Sequence, residues 1–223
     1  SDHDYASHEL GPEGARLELA HTDAHVASLV AAAGGLDEFL DRYAVVVCSD
    51  HGQSEVVRAA RLESAFVGMK QVRVTASNRA GMVYRVDGRA DARSLAARLD
   101  GNPAVDVAVF LEDGRVVARR DGEEGPELLD PHPDGRARAL AALRNPNAGD
   151  VIVSAAPGWE FHDLGGRHHA GGGSHGSLAA ADSEVPLLTI GLDGEAASVT
   201  DVASLVLSHF ARFARGVAGR TAA

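Results

Sequence analysis

The sequence predicts an α/β fold, in which a mostly parallel sheet is flanked by helices and interrupted by a small inserted α+β lobe. The segments 43–49, 150–155 and 185–192 are apolar runs without polar alternation, and the first breaks at once into the polar residues 50–53. Such runs are typical of strands buried on both faces of a parallel sheet. Residues 67–147 differ in character, because short strands follow one another there and a tight Glu-Asp-Gly turn implies antiparallel pairing.

The flanking helices are predicted towards the two ends of the chain. Residues 13–33 carry Leu17 and several alanines at intervals of three and four, which indicates an amphipathic helix that covers the sheet. Two glycines end this helix, and a shorter helix over residues 36–42 leads into the first strand. Residues 198–212 form the predicted closing helix.

This pattern divides the chain into a core and a lobe. The core comprises residues 1–66 and 148–223, and the inserted lobe comprises residues 67–147. Within the lobe we predict strands at 72–75 and 81–86, a helix at 91–99, a hairpin over 105–119 and a helix at 135–144. The lobe contains no cluster of ligand-type residues, so we expect it to cap the site that the core forms.

Composition and charge exclude several classes of function. The net charge of −11 argues against binding to a nucleic acid duplex. It permits a small phosphorylated substrate, because a metal ion supplies positive charge locally. No apolar run approaches membrane-spanning length, so no membrane interaction is predicted. The single cysteine, Cys48, excludes an internal disulfide, favours the cytoplasm and is predicted to be a small buried residue. No feature predicts an oligomeric state.

The first strand ends in a pair of residues suited to metal chemistry. Asp50 and His51 follow the apolar run directly, at the sheet edge where ligands of open α/β folds bind. A carboxylate oxygen beside an imidazole nitrogen is half of a site for a divalent metal such as zinc. The alternative is an aspartate that caps the next helix beside a solvated histidine, and the dipeptide alone leaves both open.

Two further segments contain candidate ligands. Asp4 and His8 are four residues apart, so a helix or tight turn places them on one face. Residues 157–178 are rich in glycine, which indicates a backbone wrapped closely around a neighbour. The three glycines at 171–173 are not a nucleotide phosphate loop, because no Gly-Lys-Ser/Thr follows them. They are predicted to let the backbone fold beneath His175.

Three fragments in order carry a family resemblance: Asp4-Tyr-Ala-Ser-His8, Ser49-Asp50-His51-Gly52 and Gly173-Ser-His175-Gly176. Together they resemble the alkaline phosphatase superfamily, and within it the type I phosphodiesterase/nucleotide pyrophosphatase branch. The resemblance implies an alkaline phosphatase-like core and two divalent metal ions, zinc first and manganese as an alternative. It assigns Asp4, His8 and His175 to one metal, and Asp50 and His51 to the other. In that family the metals lie about 4 Å apart and clamp the attacking and leaving oxygens at phosphorus.

The chain departs from the family pattern at its start. Family members carry, upstream of the Asp4-to-His8 fragment, a strand ending in a metal-binding aspartate and then a serine or threonine nucleophile. We therefore expect this chain to be the carboxyl-terminal portion of a longer protein, inactive alone, with the catalytic nucleophile outside it. Ser49 and Ser174 are interpreted as turn residues.

The predicted function is hydrolysis of phosphodiester or nucleotide pyrophosphate bonds in a small-molecule substrate. The alternatives are a phosphoglycerate mutase-like or phosphonate-cleaving enzyme, or a metal-binding domain without catalysis. His168 and His169 are candidates for binding the substrate phosphate or a metal ligand, against a solvent-facing loop pair. Of the other histidines, His132 and His209 are predicted to be structural, and His3 and His162 to lie in loops.

Overall fold

A computed structural model of the protein describes residues 3–88 and 90–220, with side chains through residue 211. The helices, numbered in chain order, are α1 (His3–Gly14), α2 (Arg16–Ala32), α3 (Leu36–Arg42), α4 (Ala92–Ala97), α5 (Gly135–Leu143), α6 (Ala180–Ser183) and α7 (Val202–Arg220). The strands are β1 (Val45–Cys48), β2 (Ser54–Ala60), β3 (Val72–Ser77), β4 (Ala80–Arg85), β5 (Val105–Glu112), β6 (Arg115–Arg120), β7 (Glu123–Glu124), β8 (Val151–Ala155), β9 (Gly158–Phe161), β10 (Gly173–Ser174) and β11 (Leu187–Ile190). Short 3-10 helices occupy Leu62–Phe66, Pro126–Leu129 and Val199–Asp201.

The chain divides into two compact units. The first comprises Ser1–Leu19 and His51–Glu184, and the second comprises Ala20–Asp50 and Val185–Ala223. In the part of the chain that the structure describes, no helix has both the length and the apolar character needed to cross a bilayer.

The first unit is built on a six-stranded antiparallel sheet in the order β3-β4-β8-β5-β6-β7. Side chains along β5 alternate between two buried clusters, because successive residues of a strand point to opposite faces. Val107 and Val109 pack in one cluster with Ala139 of α5, and Phe110 packs in the other with Leu95 of α4. Helices therefore cover both faces of this sheet.

A smaller sheet in the same unit carries the segments that hold the candidate site. Its order is β10-β2-β9, with β2 and β9 parallel and β10 antiparallel to β2. His51 and Gly52 lie just before β2, and His175 lies just after β10. Pairing of β10 with β2 thus brings together two segments that are remote in sequence.

The second unit contains an antiparallel ribbon of β1 and β11, in which Val45 pairs with Ile190. A capping box formed by Ser198 and Asp201 precedes α7. Among the described side chains of the second unit, only Leu205 is buried. This unit therefore has little apolar core of its own.

The mixed α/β class is confirmed, but the predicted mostly parallel sheet is not. Within the described residues, β2 and β9 form the only parallel pair. The predicted strand at 150–155 does form, yet β8 lies between β4 and β5 in the sheet of the predicted lobe rather than in a separate core sheet. An apolar run indicates burial and carries no information about strand direction. The lobe boundaries at residues 67 and 147 stay a prediction.

The prediction that the first strand is buried on both faces is wrong. Val47 is half exposed and Cys48 is exposed. Among the described residues, β1 has one neighbouring strand, and a two-stranded ribbon covers neither of its own faces. For the same reason Cys48 is not the buried residue that its apolar surroundings in sequence suggested.

Candidate functional site

The first part of the site is built by α1, which begins at His3 rather than leaving that residue in a loop. The four-residue spacing places His8 Nε2 3.7 Å from Asp4 Oδ1, and the Asp4 side chain is 77% exposed. His8 Nδ1 lies 2.8 Å from the carbonyl oxygen of Gly173. Because a carbonyl oxygen only accepts, Nδ1 carries the ring proton and Nε2 presents its lone pair.

The glycine-rich loop approaches the backbone of α1 as closely as its composition predicts. A Cβ atom at Gly172 would collide with the carbonyl oxygen of His8. A Cβ atom at Gly173 would lie 2.5 Å from the carbonyl oxygen of Ser7. Glycine at these two positions is therefore what lets the Gly173 carbonyl reach the His8 ring.

His51 and His175 bring their rings to the same place from β2 and β10. The two rings are stacked, with centroids 3.5 Å apart and planes at 15°. The His175 ring also lies 5.3 Å from the His8 ring. His51 Nδ1 donates to the carbonyl oxygen of Gly52 at 2.9 Å, so this ring has the same tautomer as His8. Three histidines from distant segments are thus adjacent.

The surroundings of His175 favour the neutral form of its ring. Partial burial lowers the pKa of His175 below its ordinary value, the neighbouring His51 and His8 act in the same direction, and Asp182 and Asp4 oppose them. Asn78, at the tip of the β3–β4 hairpin, places its side-chain nitrogen 3.2 Å from His175 Nε2. A neutral imidazole is the form that binds a metal ion.

His169 extends the cluster, whereas His168 does not. The His169 ring centroid lies 4.2 Å from that of His8. Its backbone N–H donates to Glu160, and its Nδ1 lies 3.1 Å from the second oxygen of the same fully buried carboxylate. His168 packs instead against His162, with ring centroids 4.7 Å apart. The predicted pair is therefore split between two environments.

The histidines of the cluster meet some of the requirements of a metal site. A histidine that binds a metal ion through one ring nitrogen usually donates a hydrogen bond from the other to a carbonyl or carboxylate oxygen. His8 and His51 each make such a hydrogen bond through Nδ1. Across residues 3–88 and 90–211, however, no group of three or more His, Cys, Asp or Glu side chains has metal-binding geometry. The tautomers fit a metal ion, while the stacked rings of His51 and His175 are not yet in a ligating arrangement.

The metal-ligand roles of Asp4, His8, Asp50, His51 and His175 stay predictions. Asp50 is exposed and is the last residue of the first segment of the second unit. Its neighbour His51 is the first residue of the segment that carries the histidine cluster.

A cavity of about 280 Å³ adjoins the cluster. Its lining is mostly polar and comprises Ser77, Asn78, Glu160, Phe161, Asp163, Arg167 and His169. Asp163 and Arg167 form an ion pair at its edge. The cavity is therefore bounded by the two residues, Asn78 and Glu160, that contact histidines of the cluster.

Sequence reasoning missed Asn78, Arg79, Glu160 and Asp182, although each contacts a histidine segment. Glu160 lies between Trp159 and Phe161. A carboxylate in such an apolar stretch is a signal of a buried polar role. Asn78 precedes Arg79 in a hairpin turn and has a φ of 54°, a conformation that asparagine tolerates. Nothing local in the sequence distinguishes Asp182 from a surface residue.

A family model for type I phosphodiesterase/nucleotide pyrophosphatase matches residues 1–178. The chain belongs to this family. The three fragments that carry the resemblance lie within or at the edge of the matched region, and the family resemblance predicted from them is confirmed. No curated protein matches the sequence.

Solved structures of two enzymes share the fold of this chain. Phosphonoacetate hydrolase from Sinorhizobium meliloti 1021, in complexes with phosphonoformate and with phosphonoacetate, is 18% identical with a TM-score of 0.55. That match covers 88% of this chain and 46% of the hydrolase. Murine ectonucleotide pyrophosphatase/phosphodiesterase 5 is 13% identical with a TM-score of 0.50, over 83% of this chain and 44% of its own. The chain thus spans less than half the length of each.

Proposed function

We propose that the chain contributes part of the active site of a two-metal phosphoesterase that hydrolyses phosphodiester or nucleotide pyrophosphate bonds. Family membership supports hydrolysis of phosphoesters as the reaction class. One observation carries the proposal further: His8, His51 and His175 come from three distant segments and lie ring against ring. In two of them, His8 and His51, a backbone carbonyl accepts a hydrogen bond from Nδ1, as is usual in histidines that bind metal ions.

In this proposal Asp4, His8 and His175 hold one divalent metal ion, and Asp50 and His51 contribute to a second. Zinc is the first choice, because imidazole and carboxylate are its usual ligands, and manganese is the alternative. A metal pair of this kind supplies positive charge to the phosphoryl oxygens and to the attacking and leaving oxygens. The nucleophile and one further aspartate ligand are proposed to come from a segment upstream of this chain.

The cavity beside the cluster is the proposed site for the substrate. His169 faces the cluster, and Glu160 fixes its Nδ1, so its Nε2 is oriented for a phosphoryl oxygen or a metal ligand. Asn78 bounds the same cavity and supplies a side-chain amide. His168 is the weaker candidate, because its ring packs on His162.

Metal content tests the ligand assignment. We expect the chain to bind about one zinc ion tightly, through the more complete set of three ligands, and a second ion weakly. His175→Ala should abolish tight binding. His132→Ala is the control, because that ring lies in the predicted lobe, 3.1 Å from Asp106. Dialysis followed by elemental analysis measures both variants, and equal zinc content in the two would overturn the assignment.

Turnover tests the reaction class. We expect negligible activity from this chain alone, and activity from a longer polypeptide that includes the sequence upstream of Ser1. An aryl phosphodiester, an aryl phosphomonoester and phosphonoacetate should be compared as substrates, since the structural relatives include a phosphonoacetate hydrolase. Fastest turnover of the diester supports the proposal. A preference for phosphonoacetate would favour the phosphonate-cleaving alternative, and zinc binding without turnover of any of the three would favour a non-catalytic domain.

A further inference from the structure

A buried ion pair lies beneath the histidine cluster. Arg79 is 1% exposed, the Asp182 side chain is fully buried, and their charged atoms are 2.7 Å apart. The guanidinium also donates to the carbonyl oxygens of Trp159 and Ala156, at 3.0 and 3.2 Å. Every nitrogen of the Arg79 side chain therefore has a partner, as a buried cation requires.

The acidic partner ties down two further segments. One oxygen of Asp182 accepts from Arg79 and from the Ser54 hydroxyl, and the other accepts from the backbone N–H of Ser177 at 2.8 Å. The carbonyl oxygen of Asp182 accepts from the N–H of Gly52 at 3.0 Å. Asp182 is thus hydrogen-bonded to Gly52, which follows His51, and to Ser177, which lies two residues after His175.

Arg79 reaches His175 as well, through its main chain. The Arg79 N–H donates to the carbonyl oxygen of His175 at 2.8 Å, and the preceding residue, Asn78, contacts the ring of the same histidine. The backbone at Gly52 also packs closely against Ala181, because a Cβ atom at Gly52 would collide with the Ala181 carbonyl oxygen. The stacked rings of His51 and His175 therefore rest on backbone that the ion pair connects.

Stability alone does not account for a pair in this position. Taking two charges out of water costs several kcal/mol each, and an apolar pair of similar size often stabilises a fold as well or better. The pair instead lies where the segments carrying His51 and His175 meet. Fixing the relative position of two imidazoles requires directional bonds, which apolar contacts do not supply.

We propose that Arg79 and Asp182 are positioning residues that hold His51 and His175 in register for metal binding. The inference rests on the proposed metal-dependent function of the cluster. It predicts that weakening the pair lowers metal affinity even in molecules that remain folded.

Asp182→Asn is the first test variant, because asparagine keeps an oxygen acceptor for Ser54 or Ser177 but removes the charge. Asp150→Asn is the matched control. Asp150 pairs with Arg85 at the same 2.7 Å, and Arg85 lies at the far end of β4, about 17 Å from Ala80 at the usual rise per residue. Both variants and the wild-type chain should be titrated with Zn²⁺ against a chromophoric chelator. Urea unfolding of the same samples establishes that each is folded in the assay.

We expect Asp182→Asn to bind Zn²⁺ about 10-fold to 100-fold more weakly than the wild type, the range found when partners of metal ligands are removed. Asp150→Asn should stay within about twofold, because its ion pair is remote and about one-third exposed. Arg79→Lys, which keeps the charge but loses the bonds to Trp159 and Ala156, serves as the second variant if Asp182→Asn does not fold.

The outcomes separate the two proposals. If the wild-type chain does not bind Zn²⁺, the proposed metal site fails. If the wild type binds and a folded Asp182→Asn binds equally well, the metal site stands and the positioning role is overturned. Unfolding of both Asp182→Asn and Arg79→Lys would show a purely structural pair, and would also overturn it.

Discussion

At the scale of single residues, the site depends on which ring nitrogen each histidine presents. Backbone carbonyl oxygens of Gly173 and Gly52 accept hydrogen bonds from Nδ1–H of His8 and His51. The tautomer is therefore set by main-chain atoms that no side-chain substitution removes directly. Variants that move these carbonyls are expected to act on the histidines without altering them.

Gly172→Ala tests this dependence. The new methyl group would collide with the His8 carbonyl oxygen, so the loop has to retreat from α1. We expect the free energy of unfolding to fall by about 1–3 kcal/mol, as in other overpacked sites, and zinc affinity to fall with it. Gly165→Ala in the same loop is the control, because a Cβ atom there meets only the flexible side chains of Asp163 and Arg167. Urea titrations and zinc titrations of both variants give the comparison.

The lowered pKa of His175 predicts a pH-dependent stability for the metal-free protein. In the unfolded chain His175 regains its ordinary pKa of 6.5, whereas burial, followed by His51 and His8, holds the folded value below that. Between the two values only the unfolded chain holds the proton, so stability falls as pH falls. The contribution of His175 is complete above about pH 6.5 and is lost as pH decreases through the folded pKa.

His175→Gln removes this titration. We expect its free energy of unfolding, measured with a chelator present, to change less between about pH 7 and about pH 5 than that of the wild type. His25→Gln, at an exposed position on α2, should leave the wild-type slope unchanged. An identical slope in His175→Gln and the wild type would contradict the lowered pKa.

Some residues of the site could be predicted from the sequence, and others could not. His8, His51 and His175 were predicted because each lies in a short fragment with a recognisable spacing. Asn78 contacts His175, which is 97 residues away in the sequence, and Arg79 contacts Asp182, which is 103 residues away. Contacts at such separations depend on which strands become neighbours, and no local pattern encodes that choice.

At the scale of elements, the β3–β4 hairpin is the part of the predicted lobe that reaches the site. Its turn places Asn78 at a φ of 54°, in the left-handed region, and directs the side-chain amide to His175. Substitution can separate the backbone conformation from the side-chain contact. Glycine adopts a positive φ readily but has no amide to contact His175.

Asn78→Gly is expected to leave the free energy of unfolding close to that of the wild type and to change zinc affinity. Asn78→Ala should change affinity similarly and also lose about 1 kcal/mol of stability, because alanine is strained at this φ. Urea unfolding and zinc titration of the two variants separate the effects. A fully wild-type zinc affinity in Asn78→Gly would show that the amide has no influence on His175.

The order of elements was largely predictable, whereas their partners were not. The helix at 36–42 and the strands of the lobe form close to their predicted positions, because periodicity and turn residues are local signals. The strand at 150–155 was assigned to the wrong sheet, and β2 and β9 were not predicted. β2 reads Ser-Glu-Val-Val-Arg-Ala-Ala, a sequence without clear alternation.

At the scale of the whole molecule, the two units differ in how much apolar surface they bury. Nearly all described core side chains belong to the first unit, including Phe110 and Phe161. The second unit has one buried side chain among those described, Leu205. Burial of apolar area is the main favourable term in folding, so the two units should differ in stability.

We expect amide hydrogens of β1 and β11 to exchange with solvent faster than those of β5 and β8, because the ribbon opens at a lower free-energy cost. The single tryptophan, Trp159, packs against the core of the first unit and reports on that unit alone. In urea, helicity measured by circular dichroism should therefore begin to fall before the Trp159 fluorescence changes. Coincident transitions and uniform exchange would instead indicate one cooperative unit.

The pairing of Arg79 with Asp182 also bears on the construction of chimeras. A grafted segment that replaces residues 67–147 and has no arginine at the position of Arg79 would leave the buried carboxylate of Asp182 without its cationic partner. A graft that leaves the host hairpin tip, Asn78 and Arg79, in place avoids this mismatch. A graft boundary that preserves this ion pair therefore runs through residues 67–147 and not around them.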